Sequence, residues 1–497
     1  MSTPQRFSLP EKKGLYYGGD WHPPRAGGFS PTYSPTDGRE IANVASGDAE
    51  DVDCAVAAAA EGYAVWRHVE PLARAAVLRD VATVIRQHGE ELAWLDAYNG
   101  GNPLRELKAD IAASAALFEF FAGLVTEMKG ASLPMGPGSV NFSVREPRGV
   151  IARLVAFNHP FMFTAAKAAA PLAAGNSVIM KPPEQAPLSA LRFADLIGGL
   201  FPPGVFSVLP GGAAVGEALA RHPGIAMIGL IGSVATGRAV MRAASETLKP
   251  VIFELGGKNA LIAYPDADPD AVADAMIGGM NFGWCGQSCG STSRVFLHEA
   301  IHDRVIERVR TKIASIRPGV PTDPETSMGA IVSKTQLDKI LGFIQSGRAE
   351  GASLLCGGER VLEPLLAEGW FLGPTIFVGV VPSMRIAREE IFGPVLSVLR
   401  WSDHAQMLRD VNAVDYGLTC SIWTNDLSTA HRTAAEVQAG FVWINEVSRH
   451  FIGAPFGGYK QSGIGREECL EELIAFTQEK NIHIRLAPPS TPATVRS

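Results

Sequence analysis

The sequence lacks most of the features that would commit a chain to an unusual environment. Cysteine is scarce: Cys54, Cys285, Cys289, Cys356, Cys420 and Cys469 are the six in 497 residues. That is too sparse for a disulfide framework and predicts reduced thiols in a cytoplasmic setting. Cys285 and Cys289 lie close together, yet no further Cys/His pair completes a zinc set, so no metal is expected. No run of about 18 apolar residues is present, which argues against a transmembrane helix. The opening MSTPQRFSLPEKKG has no apolar core of the secretory type. Basic residues are not in excess: 44 Lys and Arg stand against 51 Asp and Glu, a net charge of -7. Neither nucleic acid nor an anionic membrane face is therefore an expected partner. There is no G-x-G-x-x-G after a first strand, no internal repeat and no low-complexity block in the body.

What is present is ample core material, 46% hydrophobic against 19% charged residues. At roughly 100–200 residues per domain, the length predicts two or three domains. The first part reads helical. Positions 52–95 are alanine-rich with apolar residues at helical spacing, interrupted at Gly89, a predicted C-cap and turn; a second helix is expected over 106–126. Short apolar runs then alternate with helical stretches. Strands are predicted at 149–157, 177–180, 205–209, 226–231 and 251–255, with helices at 164–174 and 188–198. A second series follows: a strand at 294–298, a helix at 300–316, and strands at 397–401, 421–424 and 441–445. Such alternation predicts an α/β protein with parallel sheets covered on both faces, an architecture that suits nucleotides. Strands at 139–145 and 482–486 leave this pattern and should need a partner, and the closing APPSTPATVRS predicts a disordered tail.

Two segments carry chemistry. In Phe253-Glu254-Leu255-Gly256-Gly257-Lys258-Asn259 a carboxylate ends an apolar strand before two glycines. Burial there would raise its pKa toward neutrality, as a general base needs; the competing reading is a solvated strand-end glutamate. In Gly286-Gln287-Ser288-Cys289 a cysteine follows a glycine turn. It reads either as an exposed reactive thiolate or as a buried structural cysteine.

Together with four further segments, these resemble the aldehyde dehydrogenase superfamily over nearly the whole chain. Phe157-Asn158-His159-Pro160 is similar to the family's asparagine motif and Lys181-Pro182-Pro183-Glu184 to its cofactor lysine segment. Glu389-Glu390-Ile391-Phe392-Gly393-Pro394 and Pro455-Phe456-Gly457-Gly458-Tyr459-Lys460-Gln461-Ser462-Gly463 complete the set in order. The resemblance implies a parallel-sheet, Rossmann-like cofactor domain (1–126 and 146–255), a second α/β catalytic domain (256–448) and a small β oligomerisation element (127–145 and 475–490), with 491–497 a flexible tail. It also implies a homodimer or homotetramer.

The implied reaction oxidises an aldehyde to its acid with NAD. Cys289 attacks the carbonyl to form a thiohemiacetal, and Asn158 with the Cys289 backbone N–H holds the oxyanion. Hydride passes to the nicotinamide, and Glu254 activates water to hydrolyse the thioester. Lys181 is placed among the catalytic and cofactor residues. With Glu184 it would reach the adenosine ribose, where a carboxylate repels a 2′-phosphate and favours NAD over NADP. Gly232 and Ser233 open a helix that would hold pyrophosphate, a segment that could equally be an ordinary cap. Phe157, Leu255, Glu390 and Phe392 complete the expected cofactor site. His159, Met162, Trp284, Ser288, His450 and Phe456 are the expected substrate pocket.

Several positions depart from the family pattern. Trp284 and Cys285 stand where polar residues are common, Phe157 where tryptophan is, and Ala166 where an aromatic wall is frequent. Fewer aromatic walls argue against a quaternary-ammonium substrate. A medium-sized apolar or aromatic aldehyde is expected first, a carboxylate-bearing semialdehyde meeting Arg449 and His450 second. The competing functions are a CoA-acylating relative, which would often lack Glu254, and a non-catalytic protein on the same fold.

Overall fold

The computed structural model describes residues 7–486; the predicted flexible tail at 491–497 lies outside the described residues. The runs VIARL (Val150–Leu154), SVIMK (Ser177–Lys181) and IAMIGLI (Ile225–Ile231) are apolar apart from Arg153, Ser177 and Lys181. Strands of that kind must be covered on both faces, which is what a parallel sheet between helices provides. They sit at the centre of an eight-stranded sheet in the order Asp20–His22, Leu15–Tyr17, Phe206–Val208, Ser177–Lys181, Val150–Leu154, Ile225–Ile231, Val251–Glu254, Gly463–Ile464. The five strands from Phe206–Val208 to Val251–Glu254 run parallel, and the edge strands pair antiparallel. Ile151, Val178 and Met180 face a core with the alanine-rich helix Pro160–Ala173, while Val150, Ala152 and Ile179 face the helix Ala49–Trp66.

The stretch read as one interrupted helical run is three helices: Ala49–Trp66, Pro71–Gln87 and Gly89–Gly100. Gly89 is not the predicted C-cap. His88 ends the preceding helix and Gly89 begins the next, where a Cβ would meet Ile111 Cγ2 at 2.9 Å, so the glycine serves close packing. Ahead of these helices lie two hairpins absent from the sequence reading: Leu15–Tyr17 with Asp20–His22, and Phe29–Tyr33 with Glu40–Ala45.

The second sheet has seven strands in the order Ser353–Cys356, Thr375–Val378, Val395–Trp401, Arg294–His298, Ala260–Ala263, Thr419–Trp423, Phe441–Ile444. All are parallel except the first pair. The two segments expected to leave the body pair with each other: Thr477–Arg485 runs antiparallel to Ser139–Pro147, with Ser132–Leu133 on the far side. The chain also returns to the first sheet late. Gly463–Ile464 adds to Val251–Glu254, and Leu473 and Phe476 are buried in the first core.

Candidate active site

In the first sheet, Val150–Leu154 and Ile225–Ile231 are neighbours whose chains continue toward opposite edges. A crevice opens beyond the carboxyl ends of such strands. Phe157 and Asn158 follow the first strand, Gly232 and Ser233 the second, and Glu254 ends the third. The second sheet meets them with the loops that precede its strands: Asn259 before Ala260–Ala263, Cys289 before Arg294–His298, and Glu390 and Phe392 before Val395–Trp401. One cavity of about 600 Å³ is lined by Phe157, Asn158, Gly232, Ser233, Glu254, Leu255, Cys289, Glu390 and Phe392, together with Gln336 and Lys339. Nine of the residues predicted from sequence thus share one space.

Glu254 is buried, and burial pushes its carboxyl up to about 8, opposed by a hydrogen bond from the Cys289 side chain. The Cys289 thiol moves the same way: burial, then the neighbouring Glu254 carboxylate, hold it well above its usual range. Burial and a carboxyl group next door both oppose a negative charge on Cys289, which runs against the expected resting thiolate. Cys285 stays a packed thiol: it is fully buried, donates to the Ala330 carbonyl at 3.4 Å, and is pushed up to about 12 by burial.

The backbone at Asn158 is held from behind. Its carbonyl accepts from Asn102 Nδ2 at 2.7 Å, and three residues on, Phe161 N–H donates to Asp96 Oδ2 at 2.8 Å. The Cys289 N–H has no acceptor among the described residues. Asn259 clamps the cysteine loop. Its Nδ2 donates to the Cys289 carbonyl at 2.6 Å and the Ser291 carbonyl at 3.0 Å, while its Oδ1 accepts from Thr419 N–H at 3.0 Å. Gly286 has φ +63 at a point where any Cβ would strike the Gly393 carbonyl, so the loop closes only with glycine there.

The cofactor predictions divide in two. Ser233 caps the helix Val234–Ser245, its Oγ accepting from Thr236 N–H at 3.2 Å. Glu390 Oε1 accepts from Gly257 N–H at 2.9 Å, and a Cβ on Gly256 would collide with the same carboxylate. Phe392 takes the strained φ of 56° and meets Phe157 edge-on at 5.6 Å. Glu184 is not in this cavity; it lines a second one with Thr32, Ser46, Pro210, Gly211 and Gly212. Lys181 borders neither, ends the strand Ser177–Lys181, donates to the Pro182 carbonyl at 3.2 Å, and is lowered to about 8 by burial against the pull of Glu184.

The predicted substrate residues form two aromatic groups outside the main cavity. His159 Nδ1 bonds Asp110 Oδ2 at 2.8 Å, and its ring lies 4.2 Å from Trp284 and 5.1 Å from Phe163. Met162 packs half-buried beside this group's core. His450 bonds Glu468 Oε2 at 3.3 Å and packs 4.5 Å from Phe456. Ser288 lines a small separate cavity with Gly286, Glu390 and Phe392. Arg449 is occupied by Glu446 at 3.7 Å and the Phe451 ring at 4.8 Å. Among the described residues no group of three His, Cys, Asp or Glu side chains could hold a metal, and no helix is long and apolar enough to cross a membrane.

Sequence reasoning missed a buried ionic cluster beside the base. Glu467 Oε1 accepts from Arg153 at 2.8 Å, and its Oε2 lies 2.9 Å from Lys167 Nζ. Both cations hold Glu467 well below the usual carboxylate range despite its burial, and the cluster acts electrostatically on Glu254. The available signal was a charge inside VIARL and another inside an alanine-rich helix, since buried charges need partners.

A model of the aldehyde dehydrogenase family matches residues 21–482. An aldehyde dehydrogenase of Talaromyces stipitatus, tropH, is 48% identical over 97% of this chain and 95% of its own length. Solved structures agree. PnpE from Pseudomonas sp. WBC-3 in complex with nicotinamide adenine dinucleotide superposes with TM-score 0.94 at 37% identity, over 98% of this chain and 100% of that one. An NAD+ complex of the Bacillus cereus aldehyde dehydrogenase gives 0.93 at 35%, over 96% and 98%. The chain belongs to the aldehyde dehydrogenase family.

Proposed function

We propose that this chain oxidises an aldehyde to the carboxylic acid, with NAD as oxidant, Cys289 as nucleophile and Glu254 as base. The observation that carries the reading is that Cys289 and Glu254 line one cavity with Asn158, Ser233 and Glu390. Glu254, once ionised, takes the thiol proton as Cys289 Sγ bonds the carbonyl carbon. The resulting oxyanion accepts from the Asn158 amide and the Cys289 N–H, both fixed beforehand by the Asn102 and Asn259 contacts. NAD, when bound, supplies the acceptor for the hydride that leaves this carbon, and a thioester on Cys289 remains. Glu254 releases the thiol proton to solvent and then removes a proton from water; the hydroxide adds to the thioester carbon, and the acid departs as that second proton passes from Glu254 to the Cys289 thiolate.

The residues present fit NAD. The Ser233 helix start offers N–H groups to a pyrophosphate, Glu390 is half-buried on the main cavity within reach of a ribose hydroxyl, and Glu184 lines a separate cavity suited to the other ribose. The Glu184 carboxylate favours NAD over NADP. Glu254 in contact with the nucleophile favours water over coenzyme A as acceptor, and the intact pair argues against a non-catalytic copy.

The His159–Trp284–Phe163 group next to Asn158 supports a medium-sized apolar or aromatic aldehyde. Engagement of Arg449 by Glu446 and of His450 by Glu468 weakens the carboxylate-bearing alternative. The long outer strand Thr477–Arg485 supports assembly into a homodimer or homotetramer, and six free cysteines support a reducing, cytoplasmic setting.

The test is NADH formation from a panel of aldehydes, comparing the native chain with Cys289→Ala. Aldehyde-dependent NADH that vanishes in the variant is the expected result. Absence of NADH from native protein shown to bind NAD would overturn the reading.

A further inference from the structure

Immediately after the base turn, Lys258 is 1% exposed, and its Nζ makes no hydrogen bond or ion pair among the described residues. It lines a small cavity with Arg294, Val411, Tyr416, Cys420 and Gln438. The space open to the centre of a water-sized occupant is ≈ 20 Å³, room for one small species. No Asp or Glu lines it.

Arg294, 3% exposed, is satisfied by neutral carbonyls alone: Lys258 O at 2.8 Å, Asp410 O at 3.2 Å and Val411 O at 3.0 Å. Two cations therefore share one buried wall without a counter-charge on it. Glu389 and Glu390 favour the Lys258 charge only from outside the cavity, and Arg294 opposes it. Burial and Arg294 draw the ammonium down to about 7. A buried cation in this position must lose its proton or gain a partner.

We propose that the cavity between Lys258 and Arg294 is a binding site for one small monovalent anion of the halide class. The lysine ammonium contacts the anion, and the guanidinium stabilises it at longer range. The site joins the turn that carries Glu254 to the strand that leaves Cys289, because Arg294 Nε already holds the Lys258 carbonyl. It does not depend on which aldehyde the enzyme oxidises.

Two measurements on the full-length protein test it. Crystals grown in bromide should show anomalous scattering in contact with Lys258 Nζ. In solution, the thermal midpoint in sodium chloride should exceed that in sodium gluconate of equal ionic strength by about 2–4 °C. Lys258→Met should remove that difference while leaving general salt effects in place. A cavity that holds only water in bromide, or equal native midpoints in the two salts, would overturn the proposal. The native-protein comparison and the crystal stand whether or not the variant folds.

Discussion

Glu254 must be neutral enough to sit buried and ionised enough to act. With its carboxyl raised to about 8, it is largely protonated at neutral pH. Both steps that use it, thiol deprotonation and hydrolysis, need the carboxylate. Steady-state rate should therefore rise with pH through a midpoint near 8, and Glu254→Gln should abolish that dependence along with hydrolytic turnover. Stability should move oppositely. The folded state holds this proton more tightly than the unfolded chain, so the contribution is complete below the ordinary carboxylate range and is lost as pH rises through about 8. Native protein should lose stability relative to Glu254→Gln over that window in denaturant titrations. Asn158→Ala should lower kcat by about 10²–10³ without unfolding the protein, read by steady-state kinetics and circular dichroism. At this scale the sequence left two readings of Glu254, a buried base or a solvated strand end, and the structure buries it. The sequence could not show the raised Cys289 thiol, which depends on contact between residues 35 positions apart.

The turn 256–259 matters as much as the residues it connects. Asn259 was legible as part of the glutamate motif, yet its work is done on the cysteine loop, through the Cys289 and Ser291 carbonyls. Asn259→Ala would leave those carbonyls unpaired and free the nucleophile to drift. We expect kcat to fall roughly tenfold or more with KM for NAD little changed, since misplacement costs rate more than binding. A proportional loss in NAD affinity would show instead that the turn serves the cofactor. Strands such as Ile225–Ile231 were legible because unbroken apolar runs bounded by turns have few other fates. The N-terminal hairpins were not: strands of three to six residues, with mixed burial in three of the four, carry no period long enough to read. Gly89 misled because a glycine between helices serves close packing as readily as capping.

Across the whole molecule, motif order revealed which segments must converge, while the crevice itself needed the strand order. The N-terminal ends of second-sheet strands approach the carboxyl ends of first-sheet strands, and the chain then returns at Gly463–Ile464 to extend the first sheet. Arg153 and Lys167 were visible as charges in apolar elements, but their partner Glu467 lies 314 positions from Arg153 and could not be paired with it from spacing. That partner ties the returning chain to the sheet beneath the base. Removing it by Glu467→Ala strands two buried cations, so unfolding free energy should fall by about 3–5 kcal/mol in denaturant melts. Lys167→Met added to that variant should recover part of the loss, since it removes one of the unpaired charges. Because Glu467 is held below the usual carboxylate range, its contribution is present at neutral pH and is lost as pH falls through that range toward the lowered value. The native protein should thus lose its advantage over Glu467→Gln in acid, opposite to the alkaline loss expected at Glu254. Equal stabilities of native and Glu467→Gln at neutral pH would show that the cluster orients the base without holding the chain's return in place.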